Sequence, residues 1–230
     1  ILLLIVFLII CGCWWYKKNS NQSLDDYNQS LDDYYKTINK FSSGFKGEGY
    51  SQQNIEQSKF LKNITNNKDI KNVMEIGFNG GHSAEIFLSS NKNINMVSFD
   101  IGEHDYVKLG KHFIDKTYPG RHQLIIGDSL KTVPEYYKKI NKKFDLIFID
   151  GGHDYHTAKY DLINCKNLSH DKTIVIMDDT IYNKDEWIMY WNTGPIQAWN
   201  EAKESGMIRE LGHENYSPGR GQSWGNYNII

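Results

Sequence analysis

Between Phe144 and Tyr155 the chain reads FDLIFIDGGHDY, an apolar run that stops at Asp150 and continues into two glycines and His153. A second run, Ile174 to Asp179 (IVIMDD), stops at the paired acids Asp178 and Asp179. Acids at two strand ends suggest a metal-assisted site, and all-oxygen ligation would suit a hard cation such as Mg²⁺ that keeps several waters and exchanges them for substrate oxygens. Zinc would ask for nitrogen or sulfur. His153 lies three residues after Asp150, and a nearby dication disfavours imidazolium. The expectation is a neutral imidazole able to accept a proton near neutral pH. Each residue also has a plainer reading. His153 would cap the helix that begins near Asp154, and Asp178 with Asp179 would suit a strand-ending turn through their side-chain hydrogen bonds.

Three more apolar runs end in acids or glycines. They are Glu75-Ile-Gly77-Phe-Asn-Gly80-Gly81-His-Ser83, then Asp100, then Gly127-Asp128-Ser129. The first turn sets glycines where backbone must approach a ligand, and it opens a helix whose free N–H groups suit an anion. A dinucleotide fingerprint would read G-x-G-x-x-G, and Asn79 occupies its second glycine, which disfavours pyrophosphate. A smaller anion, such as an amino-acid carboxylate, still fits. Asp100 is placed to accept from two ribose hydroxyls, and Asp128 with Ser129 to hold an adenine amino group. Taken singly, each also reads as a turn or cap residue.

The elements that must position these groups alternate. Val73–Ile76, Ile94–Phe99, Gln123–Ile126, Phe144–Ile149 and Thr173–Met177 are strand candidates, rich in Ile, Val and Phe. Ser83–Ser90, Asp105–Tyr118, Leu130–Ile140 and Asp154–Leu168 are helix-length segments between them. In the last, Tyr155, Ala158, Leu162 and Cys165 recur at helical spacing. Such alternation implies an α/β fold, a Rossmann-like, doubly wound, mostly parallel sheet with helices on both faces. After Asp179 come a helix at Pro195–Ser205 and two late strands near Met207–Leu211 and Ser223–Ile229, expected as an antiparallel edge that completes seven strands. Ligands of such sheets bind outside the carboxyl ends of the strands, where the acids stand.

With 230 residues and a formal charge of −2, the chain suits one domain plus an appendage. Its basic residues are scattered, so nucleic acid is not an expected partner. Cys11, Cys13 and Cys165 make no CxxC pair. Ile1–Cys13 is almost unbroken aliphatic, followed by Trp14, Trp15, Tyr16, Lys17 and Lys18. That order of apolar core, aromatic belt and cationic flank predicts a membrane anchor over residues 1–18, with a cleaved signal peptide or a lipoprotein-like Ile-Cys-Gly-Cys as the alternatives. The lysines would set the following domain on the cytoplasmic side. Residues 19–48 carry NQSLDDY twice, at 21–27 and 28–34. The 3,4 spacing of Leu24, Tyr27, Leu31, Tyr34, Ile38 and Phe41 predicts an amphipathic linker helix, and a loop comes next at 42–49. Residues 49–230 then form the catalytic domain. A homodimer is left open.

The ordered set MEIGFNGGHSAEIFL, VSFDIG, IIGDS, FDLIFIDGGHDYHTAKYDL and IVIMDDT resembles the class I S-adenosylmethionine-dependent methyltransferases. The likeness is greatest to the small metal-dependent O-methyltransferases acting on catechols, and to the group that includes macrolide-sugar O-methyltransferases and cephalosporin-hydroxylase-like proteins. It spans residues 49–230. The resemblance implies that Glu75, Gly77, Gly81 and Ser83 line the methionine end of the cofactor, Asp100 the ribose, and Asp128 with Ser129 the adenine. Asp150 would border the cofactor and, with Asp178 and Asp179, hold Mg²⁺, while His153 stands where relatives carry a general base. The implied reaction is methyl transfer to a hydroxyl of a sugar, glycan or other small diol. Tyr182, Trp187, Trp191, Trp199 and Trp224 lie where relatives keep acceptor loops, although Trp187 and Trp191 equally suit an i, i+4 pair on a helix. The remaining histidines, including His82 and His122, are read as surface residues. Two rivals are a nicotinamide-dependent oxidoreductase, which lacks its second glycine, and a membrane-tethered binding protein without turnover.

Overall fold

A computed structural model describes Asp33, residues 54–140 and residues 142–229. The expected anchor at 1–18 and linker at 19–48 lie outside these residues. Among the described residues no helix is long and apolar enough to cross a membrane. The sheet and its helices belong to the unit Gly49–Ile230.

This unit opens with a helix that the apolar pattern did not announce, α1 (Ile55–Thr65). Asn54 caps it by accepting from the N–H groups of Glu56 and Gln57, Glu56 stands in its first turn, and Lys62 in its last. The alternation then runs β1 (Asn72–Ile76), α2 (His82–Ser90), β2 (Asn95–Asp100), α3 (Asp105–Thr117), β3 (His122–Ile126), α4 (Ser129–Lys139), β4 (Phe144–Ile149), α5 (Tyr155–Lys166) and β5 (Ser169–Asp178). A short 3₁₀ turn at Asp185–Trp187, α6 (Thr193–Glu204), β6 (Ile208–Ser217) and β7 (Arg220–Tyr227) complete it. β5 starts four residues before the expected Thr173, because its polar beginning shows no apolar run and its pairing shifts between Phe144 and Leu146.

The seven strands lie in the order β3-β2-β1-β4-β5-β7-β6. β1 to β5 pair in parallel, while β7 pairs antiparallel with both β5 and β6. α1, α2 and α3 pack in sequence against one another, as do α4, α5 and α6. Right-handed crossovers therefore wind outward from β1 on one face and, after the reversal at β4, on the other. The core of the second face joins Met74, Ile76, Ile147, Leu162, Cys165 and Trp199. Since successive side chains alternate across a strand, Glu75 points to the α1–α3 face.

The reversal leaves a crevice between the ends of β1 and β4. Gly77 closes its floor. Its φ is +94°, and a Cβ there would lie 1.8 Å from the carbonyl oxygen of Asp150, while Asp150 N–H bonds to Ile76 O at 2.8 Å. Only a residue without a side chain lets the two strand ends touch. A Gly77→Ala variant is expected to lose at least about 2 kcal/mol, from the left-handed backbone and the backbone clash together. Thermal unfolding would record this as a Tm lower by at least about 5 °C.

Candidate active site

The turn after β1 is built to hold its shape without a ligand. Asn79 takes φ 50°, the left-handed conformation that asparagine tolerates. Its N–H donates to Asp100 Oδ2 at 2.8 Å, and Gly102 N–H donates to Oδ1 at 2.7 Å. Asp100 is thereby aimed at the crevice mouth, and each of its oxygens retains a second acceptor site. Gly81, at φ 84°, begins α2 and leaves that helix's first N–H groups facing the same mouth.

Glu75 and Ser83 face inward instead. Glu75 is 0% exposed. Ser83 Oγ donates to Glu75 Oε1, Ser98 Oγ donates to Oε2 at 2.7 Å, and Ser98 also meets His122 Nε2 at 2.9 Å. Burial raises the Glu75 carboxyl from 4.5 to about 7 against the pull of the two serines, with a further push from Asp100. These two residues brace the turn from beneath. Asp128 caps α4, accepting from Leu130 N–H at 2.9 Å with Lys131 3.6 Å away, and Ser129 opens the helix.

The acids of β4 and β5 do converge. One donor atom each of Asp150, His153 and Asp179 lies within 4.8 Å of the others. His153 Nε2 is 3.0 Å from Asp179 Oδ2, whereas Asp179 Oδ1 is buried without a hydrogen-bond partner. Asp179 sits at φ 55°, a strained turn that points its carboxylate back at His153. Gly194, at the start of α6, presses on this loop, since a Cβ there would stand 2.3 Å from His153 O. Asp178 lies outside the three-donor group, with its Oδ1 accepting from Gln57 Nε2 at 2.8 Å. Burial and then the charges of Asp178 and Asp179 push Asp150 well above the carboxylate range. Burial and the charge of Asp179 raise Asp178 to about 7, while Gln57 and Arg220 oppose the rise. Crowded acids with an orphaned oxygen have the chemistry of a divalent-cation site, because a dication would relieve both the repulsion and the missing bond. The group at hand mixes oxygen with one imidazole nitrogen.

Two of the histidines expected at the surface are buried: His82 is 4% and His122 9% exposed. Desolvation lowers both to about 4, so they are neutral. His122 stacks on Phe78 at 5.1 Å. Among the aromatic residues, Trp199 is buried and bonds Glu210 through Nε1 at 2.6 Å, and Trp224 packs on Phe60. Trp187 and Trp191 share no helix: the first lies in the 3₁₀ turn and the second in the following turn. Lys184 covers the Trp187 ring at 3.8 Å. Sequence reading missed Gln57 and Asp161. The buried carboxylate of Asp161 has no hydrogen-bond partner within ordinary reach, and burial raises it to about 7. Its one signal is a charged residue on the apolar stripe of α5, between Ala158 and Cys165.

A doubly wound sheet with an antiparallel β7 inserted before β6, and acids at its strand ends, defines an α/β fold of the kind that binds ligands outside the carboxyl ends of its strands. Residues 74–180 match the family described as a methyltransferase domain. No curated protein matches the chain. Among solved structures, the O-methyltransferase from Bacillus cereus in complex with SAH aligns at 19% identity over 87% of this chain and 91% of that one, with a TM-score of 0.69. TomG from Streptomyces achromogenes, an O-methyltransferase of tomaymycin synthesis in complex with SAM, aligns at 15% over 90% and 96%, with a TM-score of 0.68. CalS11, a TDP-rhamnose 3'-O-methyltransferase of calicheamicin biosynthesis, aligns at 17% over 89% and 95%, with a TM-score of 0.56. Residues 74–180 thus carry a match to a methyltransferase domain, set on a sheet of the same fold as these O-methyltransferases.

Glu75 gives a testable pH dependence. Its folded-state value of about 7 lies above the ordinary 4.5, so the folded protein holds this proton more tightly than the unfolded chain does. Stability is then highest below about pH 4.5 and falls as pH rises to about 7. Glu75→Gln should flatten that fall by on the order of 1–3 kcal/mol between pH 5 and pH 8 in urea unfolding. Asp161 and Asp178, raised in the same sense, remain in both proteins, so the difference between the two curves reports Glu75 together with the small push it gives Asp150.

Proposed function

We propose that this domain moves the sulfonium methyl of S-adenosylmethionine to a hydroxyl of a sugar, a glycan or another small diol, with a divalent cation, best Mg²⁺, at the β4–β5 acids. The observation that carries the reading is Asp179, whose Oδ2 meets His153 Nε2 while its buried Oδ1 has no partner. Gly77, Gly81 and Asp100 would hold the methionine and ribose parts of the donor, with Glu75 and Ser83 bracing the turn beneath them. Asp128 and Ser129 would border the adenine, and Asp150 the cofactor beside the Gly77 turn. Asp150 and Asp179, with Asp178 beside them, would hold the cation, which when bound polarises two neighbouring acceptor oxygens.

Within this scheme His153 takes the proton of the attacked hydroxyl. Asp179 Oδ2 accepts from Nε2–H, which sets the tautomer whose lone pair is on Nδ1 and steadies the imidazolium that forms. The remaining work is alignment of oxygen, methyl and sulfur, which can contribute about 7–11 kcal/mol over a bimolecular encounter. CalS11, named for a sugar hydroxyl as acceptor, supports a sugar on this fold. The aliphatic stretch Ile1–Cys13 with its aromatic and lysine flank supports a domain held at a membrane, with a glycan or lipid-linked sugar within reach.

Incubation with labelled S-adenosylmethionine and a panel of diols tests the reading. Transfer should stop with EDTA and return with Mg²⁺, and Asp150→Asn should abolish it. His153→Ala should lower kcat by about 10²–10⁴-fold while calorimetry gives an unchanged Kd for S-adenosylhomocysteine. Transfer that survives both EDTA and Asp150→Asn would exclude the metal role.

A further inference from the structure

Beyond residues 74–180, polar side chains from both ends of the unit converge on Asp178. Gln222 of β7 is the cross-strand partner of Asp178 on one side and of Glu214 on the other. Directly paired residues point to the same face of a sheet, so these three side chains share the face that Gln57 reaches from α1. Gln222 is 0% exposed, and both ends of its carboxamide, Nε2 and Oε1, lack a hydrogen-bond partner. Tyr216 lies where the β6–β7 pairing shifts between Asn215 and Ser217, an irregularity of the kind that re-aims a side chain. Its hydroxyl is also buried and has no hydrogen-bond partner at ordinary distance, with the Glu214 carboxylate the group it comes nearest to bonding. Burial first, then the charges of Glu214 and Asp178, push its pKa up.

An interior amide left unpaired at both ends is costly, and a second such group lies on the neighbouring strand β6. Gln222 brings a donor and an acceptor, and Tyr216 can serve as either. A hydroxyl group, which also donates and accepts, matches such a set. A carboxylate brings acceptors only and would face Asp178, Asp179 and Glu214. Arg220 does not rescue it, because the cation already offsets Asp150 and Asp178.

We propose that Gln222 and Tyr216 form a subsite for a hydroxyl adjacent to the one methylated, so that the acceptor is a neutral polyol ring, with Gln57 positioning Asp178 beside it. The proposal rests on the methyl-transfer reading only for the reaction at the neighbouring centre; the binding chemistry stands on its own.

The test uses the full chain in detergent, loaded with S-adenosylhomocysteine. Saturation-transfer NMR would follow the methyl glycosides of rhamnose, glucose, galactose, mannose and N-acetylglucosamine, with 3,4-dihydroxybenzoate as the anionic diol. At least one glycoside should bind and the benzoate should not displace it. Gln222→Leu and Tyr216→Phe should each weaken that glycoside by about tenfold or more. The Kd for S-adenosylhomocysteine should stay unchanged, and Gln222→Leu should melt no lower than the parent. Binding by none of the glycosides, displacement by the benzoate, or binding that both variants leave intact overturns the subsite. If Gln222→Leu fails to fold, Tyr216→Phe decides alone. Glycoside binding that depends on these residues, without transfer by the parent enzyme, would keep the subsite and sink the methyl-transfer reading.

Discussion

Everything in this site depends on the contact between Gly77 and Asp150. A side chain at Gly77 would collide with the Asp150 carbonyl, so the turn after β1 and the turn after β4 lie against each other with no atom between them. That contact is possible because β1 and β4 are neighbours in the sheet although two strands separate them in sequence. The glycine turn after β1 and the first acid of the β4–β5 cluster are therefore held at one fixed spacing. A methyl transfer that needs three atoms in line gains from rigidity of this kind.

The second constraint is electrostatic. Asp150, Asp178 and Asp179 stand together at the carboxyl ends of β4 and β5, and their mutual repulsion adds to the cost of burial. The fold answers only part of this. Gln57 donates to Asp178, Arg220 contributes a positive charge, and His153 meets one oxygen of Asp179. Asp179 Oδ1 is left with no bond. Interiors rarely keep such a group unpaired, and it is the feature on which the proposed cation site rests.

Much of this was legible in the chain. Apolar runs ending in acids located β1 to β4 within a residue or so, and the change of rhythm after Asp179 announced the antiparallel edge. These signals are local: a buried parallel strand needs a run of apolar residues, and a ligand-facing end needs polar ones. The same logic placed Asp100 and Asp150 at the crevice. It failed where a residue's role depends on what lies across from it. Ser83 shares the glycine turn, yet its hydroxyl turns inward to Glu75. His82 and His122 have no apolar context in sequence but are covered by packing. Gln57 sits in a helix whose weak apolar stripe gave no sign of a partner 121 positions away.

By itself, then, the sequence determined the element order, the fold class and the strand ends at which acids and glycines stand, because hydrophobic period and turn chemistry act over a few residues. Only the tertiary structure decided which of those ends meet. It drew His153 to Asp179, tied Asp178 to Gln57, and left Gln222 and Tyr216 buried without partners. Those outcomes arise from strand order, register and the backbone strain at Asp179, and none of the three is written in the spacing of residues along the chain.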